Sequence, residues 1–281
     1  MKNFSFKNII KTLLLLTLSI LFVKAFFIEP DEIIVHKVTL KLDNWDKKHD
    51  NLKIAIISDI HFGAPFINAE KLEKIVELSN KEKPDLILLP GDFVSNGVIG
   101  EKFVNPSLVA SILSKLKSKY GMIAVLGNND WGYNGQKVTL ALENKKITVL
   151  ENNAKKLIIN GKPLWIAGVA DLIKRFPYID AALSKINDKT PVLLLSHNPD
   201  VFPFVPNRVN LTISGHTHGG QVNLPVLGRL IVPSGFGDRY AFGHIHENNK
   251  DLYVSTGIGT SMIPVRFGVL PQIDILTLKS K

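Results

Sequence analysis

The sequence predicts an α/β fold: a two-sheet sandwich flanked by helices, with an apolar helix at the N-terminus. Three observations carry this reading. Short, nearly continuous apolar runs recur along the chain, the pattern of strands buried on both faces. Up to about residue 150 these runs alternate with amphipathic helical segments, as in repeated β-α-β units. After residue 190 the chain is mostly strands and turns.

The elements follow in order. Lys2, Lys7 and Lys11 precede the apolar run Thr12–Val23, Lys24 interrupts it, and Ala25–Ile28 resumes it. The uninterrupted run of 12 residues has the length of a signal-peptide core. From Ile9 to Ile28 there are 20 residues, enough to cross a bilayer if Lys24 snorkels. Val23-Lys24-Ala25 is an acceptable cleavage site, but Phe26 and Phe27 extend the apolar stretch and favour an uncleaved anchor. The basic N-terminal flank keeps that end in the cytoplasm and the rest outside a bacterial inner membrane. Lys37, Lys41, Lys47 and Lys48 on the other flank reduce that asymmetry, and peripheral attachment at the cytoplasmic face is the alternative.

Residues 29–51 read as a linker and an edge strand, Ile33–Leu42, and residues 52–281 as the main domain. Strands are expected over Leu52–Ile57, Asp85–Leu89, Met122–Leu126, Val192–Leu195 and Val209–Ile213. Helices are expected over 68–81, 106–117 and 136–145. In the first, Asn68 is placed to cap the N-terminus, and Leu72, Ile75, Val76 and Ser79 share a face. Asn160-Gly161 between apolar runs signals a hairpin.

The strand ends carry the chemistry. Ser58-Asp59-Ile60-His61, Gly91-Asp92, Gly127-Asn128-Asn129-Asp130, Ser196-His197-Asn198 and Gly215-His216-Thr217-His218 each follow one of those apolar runs. Ligands in open α/β sheets sit at the carboxyl ends of strands. Carboxylate, imidazole and one amide carbonyl suit borderline or hard divalent metals such as Mn, Fe or Zn. Gly91, Gly127 and Gly215 permit sharp turns beside the ligands. The chain has no cysteine, so disulfides and thiolate sites are excluded. Its formal charge of +9 favours anionic partners, although most of the lysines read as a solvated surface. No nucleic-acid fold motif is present, and no nucleic-acid partner is expected.

In this order the motifs resemble the calcineurin-like metallophosphoesterase superfamily over roughly residues 52–270. Gly215–Val222 and Ser255–Ser261 resemble its membrane-anchored bacterial branch, some members of which cleave UDP-2,3-diacylglucosamine in lipid A synthesis. The resemblance implies a four-layer αββα metallophosphoesterase sandwich. It implies that Asp59, His61, Asp92 and His218 hold one metal and that Asp92, Asn128, His197 and His216 hold a second. Asp92 would bridge ions about 3.5–4 Å apart. It further implies a metal-bridging hydroxide attacking phosphorus in line, and a phosphodiesterase or pyrophosphatase acting on an anionic, lipid-linked phosphoester. The alternatives are another cell-envelope phosphoester or a degenerate, non-catalytic metal-binding module.

Asn129 departs from the family, which has His there. An amide steadies charge but delivers no proton at neutral pH, so Asn129 is expected to stabilise the phosphoryl oxygens, and good leaving groups are favoured. His244 and His246 are candidate substitute acids. Asp130 reads either as an orienting carboxylate behind the ligands or as a turn cap. Arg175, Arg239 and Arg266 are candidate phosphate contacts weighed against structural roles. Phe62, Phe66, Trp131, Tyr133, Phe236, Tyr240 and Phe242 flank the motifs, for acyl or base contact or for packing. His36 and His49 lack motif context and are expected at the surface.

Overall fold

The alternation inside each apolar run explains how the layers form. The computed structural model describes residues 6–281; Lys2 of the basic flank lies outside the described residues. In β2 (Leu52–Ile56), Ile54 and Ile56 face one core while Ala55 and the following Ile57 face another. In β3 (Leu86–Leu89), Leu86 and Leu88 alternate with Ile87 and Leu89 in the same way. Successive strand side chains point to opposite faces, so a run apolar at every position is a strand covered on both sides.

The first sheet also contains β1 (Ile34–Leu42), β4 (Met122–Ala124), β5 (Thr148–Val149) and β14 (Gln272–Ser280). Its order is β1-β14-β2-β3-β4-β5, with β2 to β5 mutually parallel and β14 antiparallel to β2. β1 lies at the edge, as its sequence predicts.

The second sheet has the order β12-β13-β9-β8-β7-β6. These strands are β6 (Asn153–Ile159), β7 (Lys162–Gly168), β8 (Val192–Leu195), β9 (Leu211–Ser214), β12 (Gly243–Glu247) and β13 (Lys250–Val254). Asn160-Gly161 turns the antiparallel β6–β7 hairpin, and β7, β8, β9 and β13 run parallel.

The faces of the two sheets meet in one core that contains Ile54, Leu88, Ile166, Leu193 and Leu211. Outside the first sheet pack α2 (Ala69–Lys81), α3 (Pro106–Leu113) and α5 (Gly135–Glu143) through Leu72, Val109 and Val138. The Asn68 side chain caps α2 by accepting from Lys71 N–H. α3 and α5 stop short of the predicted ends at 117 and 145. Outside the second sheet lies the short α6 (Ile179–Leu183), so the fourth layer is thin. A further short helix, α4 (Asn128–Tyr133), begins at the third motif.

The helix α1 (Phe6–Val23) is exposed along its whole length, and with the turns that follow it is long and apolar enough to cross a membrane. It continues through a wide turn, Lys24–Ile28, and a tight turn, Glu29–Asp31. These turns are packed onto the domain. Arg266 N–H donates to the Ala25 carbonyl, Gly268 N–H donates to Glu29, and Lys71 Nζ bonds the Pro30 and Asp31 carbonyls. Lys24 pairs with Glu29 at 3.2 Å instead of extending freely.

Of the two histidines expected at the surface, His36 is exposed and His49 is not. His49 is buried against Trp45 and bonds the Pro163 carbonyl through Nε2 at 2.9 Å. His36 is exposed as expected, and its Nδ1 reaches Tyr253 Oη and Asp274 Oδ1 at 3.2 and 3.1 Å. It helps join β1 to both sheets.

Candidate metal centre

The parallel strands of both sheets end at one place, and their polar residues converge there. From the first sheet, β2 delivers Asp59 and His61, β3 delivers Asp92, and β4 leads into Asn128. From the second, β8 delivers His197 and β9 delivers His216 and His218. Asp59, His61, Asp92, His197 and His218 are buried, while Asn128 and His216 are half-buried. Five of the seven, Asp59, His61, Asp92, His216 and His218, have left-handed backbone with φ between 47° and 69°. Such strain is unusual for residues other than glycine and collects at functional sites.

The ligating atoms crowd together. His61 Nε2 lies 3.1 Å from His218 Nε2, and His216 Nδ1 lies 3.2 Å from His197 Nε2. Asp92 Oδ2 sits 3.4 Å from both His61 Nε2 and His197 Nε2. Asn128 Oδ1 is 3.2 Å from His197 Nε2, and Asp59 Oδ1 is 3.6 Å from His218 Nε2. Asp59, His61 and His218 form one metal-compatible group, and Asp59, Asp92 and His197 form another. All seven predicted residues are therefore brought together.

The electrostatics fit a cation. Burial favours the neutral forms of His61 and His218 and lowers both, and burial with His197 pulls His216 down to about 3. Their lone pairs are free to ligate at neutral pH. Burial also opposes charge on His197, but the Asp92 and Asp59 carboxylates outweigh it and hold it up at about 10. Burial likewise opposes charge on Asp92, yet His197 and His61 hold it well below the usual carboxylate range. Two carboxylates in a dry pocket demand positive charge, and a divalent ion supplies it more compactly than a protonated imidazole. The donor set therefore fits divalent metal.

The loops are fixed from behind. His197 Nδ1 bonds the Pro90 carbonyl at 2.8 Å, which aims Nε2 into the site. Asp130 is fully buried and accepts from the backbone N–H groups of Asp92, Phe93, Val94 and Gly127 at 2.8–3.2 Å. It both caps its turn and fixes the Asp92 loop. Burial and the neighbouring Asp92 charge push its pKa up, against the pull of those donors.

Asn129 makes contacts that the sequence did not suggest. Its Nδ2 donates to Asp92 Oδ2 at 2.6 Å and its backbone N–H to Asp92 Oδ1 at 2.9 Å. One of its two amide hydrogens thus orients the central carboxylate.

The glycines next to the ligands do more than turn the chain. A Cβ on Gly127 would overlap Asp92 Oδ1 and His197, and one on Gly215 would overlap Ser58 Oγ and Asp59 Oδ2. Neither has positive φ; both are needed for space.

The other candidates have different partners. His244 and His246 both bond Asp251 Oδ1, at 2.7 and 2.9 Å, on the β12–β13 hairpin. Arg175 pairs with Glu151 and stacks 4.4 Å over Trp131, and Arg239 pairs with Glu247. Arg266 is structural: it is fully buried, donates to the Thr256, Gly257 and Gly259 carbonyls, and comes within 3.5 Å of His218 Nδ1. Phe62 and Tyr240 are core residues, Phe66 lines a crevice of about 480 Å³ beside the His61 loop, and Phe242 is exposed.

Asp171 was missed. It closes the run Leu164–Ala170 at the end of β7, is fully buried, and has one carboxylate oxygen without a partner. Its Oδ2 accepts from Ile173 and Lys174 N–H and caps the turn, and burial pushes its pKa up. The same strand-end rule that found the others would have found it.

Carboxylates, an amide oxygen and imidazoles at converging strand ends define a metal-dependent hydrolase of the α/β sandwich class. The chain belongs to the calcineurin-like phosphoesterase family, whose model matches residues 52–220. It is 33% identical over 259 residues to the Bacillus subtilis metallophosphoesterase YkuE, covering 91% of this chain and 89% of that one. It is 30% identical over 255 residues to the Escherichia coli phosphodiesterase YaeI, covering 88% of each. The NAD nucleotidase NadN of Haemophilus influenzae superposes with a TM-score of 0.48 at 17% identity, over 74% of this chain and 45% of that one. The chain thus spans less than half of that nucleotidase. It is a metal-dependent phosphoester hydrolase.

Proposed function

We propose that the protein is a membrane-anchored phosphodiesterase or pyrophosphatase that uses two divalent ions. The observation that carries this reading is the position of Asp92 Oδ2, equidistant at 3.4 Å from an imidazole of each sheet. That is where a ligand shared by two ions belongs. Asp59, His61 and His218 would complete one ion, and Asn128, His197 and His216 the other, with Asp92 common to both. Such a pair supplies Lewis acidity at the phosphoryl oxygens and lowers the pKa of water towards neutrality.

The chain's own groups do the remainder. Asn129 holds Asp92 with one amide hydrogen and offers the second to a phosphoryl oxygen. No acid of the histidine type stands at position 129, so the leaving oxygen must depart largely unprotonated. This favours a nucleotide or similar phosphate over an alkoxide. The likeness to the phosphodiesterase YaeI supports diester cleavage.

The proposed division is a membrane helix over 1–28, an edge segment over 29–51 and a hydrolase domain over 52–281. The anchor supports a lipid-linked substrate, with UDP-2,3-diacylglucosamine as the sharpest instance, and a catalytic domain on the outer side of the inner membrane. The test is turnover by the full chain, reconstituted with Mn, Fe or Zn, on an aryl monoester, an aryl diester, a nucleotide pyrophosphate and a lipid-linked pyrophosphate. The diester and pyrophosphates should turn over faster than the monoester. Preference for the monoester, or no metal-dependent turnover, would reject the reading.

A further inference from the structure

We infer that the catalytic domain has a second membrane contact of its own: an apolar hairpin and an adjoining loop beside the metal centre, seated on the lipid bilayer. The inference rests on the anchor reading, and it concerns residues that neither hold metal nor belong to α1.

The segment directly after the His216–His218 motif forms a hairpin of β10 (Asn223–Leu224) and β11 (Gly228–Arg229). Val226 at its tip is fully exposed, and Leu227, Leu230 and Ile231 are 67–79% exposed. The neighbouring loop carries Met262 and Ile263, 73% and 47% exposed. Single exposed apolar residues are ordinary. Six large ones on two neighbouring loops are a patch, and patches of that kind mark an interaction surface.

The fold joins this patch to the base of α1. Asn223 N–H donates to the Phe267 carbonyl at 2.7 Å, and Phe267 N–H donates to the Gln221 carbonyl at 2.9 Å. The Gln221 side chain accepts from Ser261 N–H and reaches the Ser261 and Ile263 carbonyls. The segment that follows, Arg266 to Gly268, receives the end of the anchor. Arg266 bonds Ala25, Gly268 bonds Glu29, and Lys24 lies 5.4 Å over the Phe267 ring. Phe27 and Ile28, beside that contact, are themselves exposed.

The hairpin, the 261–268 segment and the helix base are therefore hydrogen-bonded neighbours, each with apolar side chains turned outward. A bilayer that takes up α1 is present at the helix base, and what lies next to the base faces its surface. This continuity selects lipid as the occupant. A large apolar face at a membrane surface binds in proportion to the area it buries there. The consequence is orientation: His216 and His218, a few residues before the hairpin, are held next to the bilayer and can meet a phosphoester that is never fully extracted from it.

The absence of cysteine makes the test clean. The full chain, reconstituted in phosphatidylcholine–phosphatidylglycerol vesicles, is labelled with an environment-sensitive fluorophore at single cysteines. Leu227→Cys and Met262→Cys probe the patch, Leu16→Cys probes the anchor, and Lys189→Cys is the control before β8, at the end away from His197. Spin-labelled lipid should quench the fluorophores at 16, 227 and 262, with blue-shifted emission, and leave 189 in water. Quenching at 16 with water-like emission at 227 and 262 overturns the inference while the anchor stands. Energy transfer between copies at 227 without lipid quenching also overturns it and makes the patch a self-association face. Quenching at 227 and 262 without turnover of any lipid-linked substrate upholds the contact and fails the substrate reading. In a second arm, Leu227→Asp should leave soluble-diester turnover unchanged and reduce turnover of a vesicle-embedded substrate; equal turnover of both would also overturn the inference.

Discussion

The two sheets contribute different chemistry to one site. The first supplies Asp59, Asp92 and Asn128, with His61 its only imidazole; the second supplies His197, His216 and His218, all imidazole. The first half therefore brings the negative charge and the second the neutral donors. His197 is the exception that shows the coupling: it is raised to about 10 by carboxylates that belong to the other sheet. Neither sheet has a complete ligand set, so the centre exists only when the sandwich is closed. Folding and metal binding are then linked, and ions should stabilise the closed sandwich.

The comparison breaks first on the carboxylate side. Asp130 accepts four backbone N–H groups from two loops, and Asp130→Ala leaves them buried and unsatisfied. The cost should exceed about 3 kcal/mol, read as a lower urea midpoint with an unchanged slope. A loss below about 1 kcal/mol would mean that water replaces the carboxylate readily.

The imidazole side is tested by His216→Ala. Metal affinity should fall by more than ~100-fold, the upper end for groups behind the ligands, with little change in the apo protein's stability. Unchanged metal content and turnover would remove His216 from the centre.

Asn129→His sharpens the comparison instead of breaking it. A general acid beside Asp92 should raise rates on poor, alkyl leaving groups by up to ~10²-fold and flatten the dependence on leaving-group pKa. Equal changes for aryl and alkyl diesters would show that position 129 transfers no proton.

The smallest effect lies outside the site, where His36 of β1 meets Asp274 of β14 and Tyr253 of β13. The hydrogen bond to Asp274 raises the His36 pKa against the opposing effect of burial. A folded-state pKa above the unfolded value near 6.5 gives stability that is present in full below that value. It is lost as pH rises through the folded value. The wild-type melting temperature should fall between pH 5.5 and 8 by slightly more than that of His36→Gln; identical slopes would contradict the pair.

The strand ends were legible because apolar runs end abruptly in ligand-type residues, and this found all seven converging side chains. Asp171 follows the same rule and was passed over because Ala170-Asp171 matches no recognised motif. What remained hidden depends on contacts between segments far apart in sequence. Arg266 looked like any arginine, and only the fold puts it beneath His218 with four carbonyls around it. Asn129 looked wholly free to face substrate, and only the β3 loop shows one of its amide hydrogens engaged by Asp92. His49 had no sequence signal for burial, since its carbonyl partner is at residue 163. The helix base read as the last residues of the anchor, Ala25–Ile28, followed by the start of a linker, and its docking on 266–268 was equally invisible.

The central claim is that Asp92 joins the two halves through shared metal. Elemental analysis of the purified wild type and Asp92→Ala, with folding checked by circular dichroism, tests it directly. Wild type should carry two divalent ions per chain, and the folded variant should fall towards none with hydrolysis abolished. Two ions per chain in folded Asp92→Ala would contradict the account.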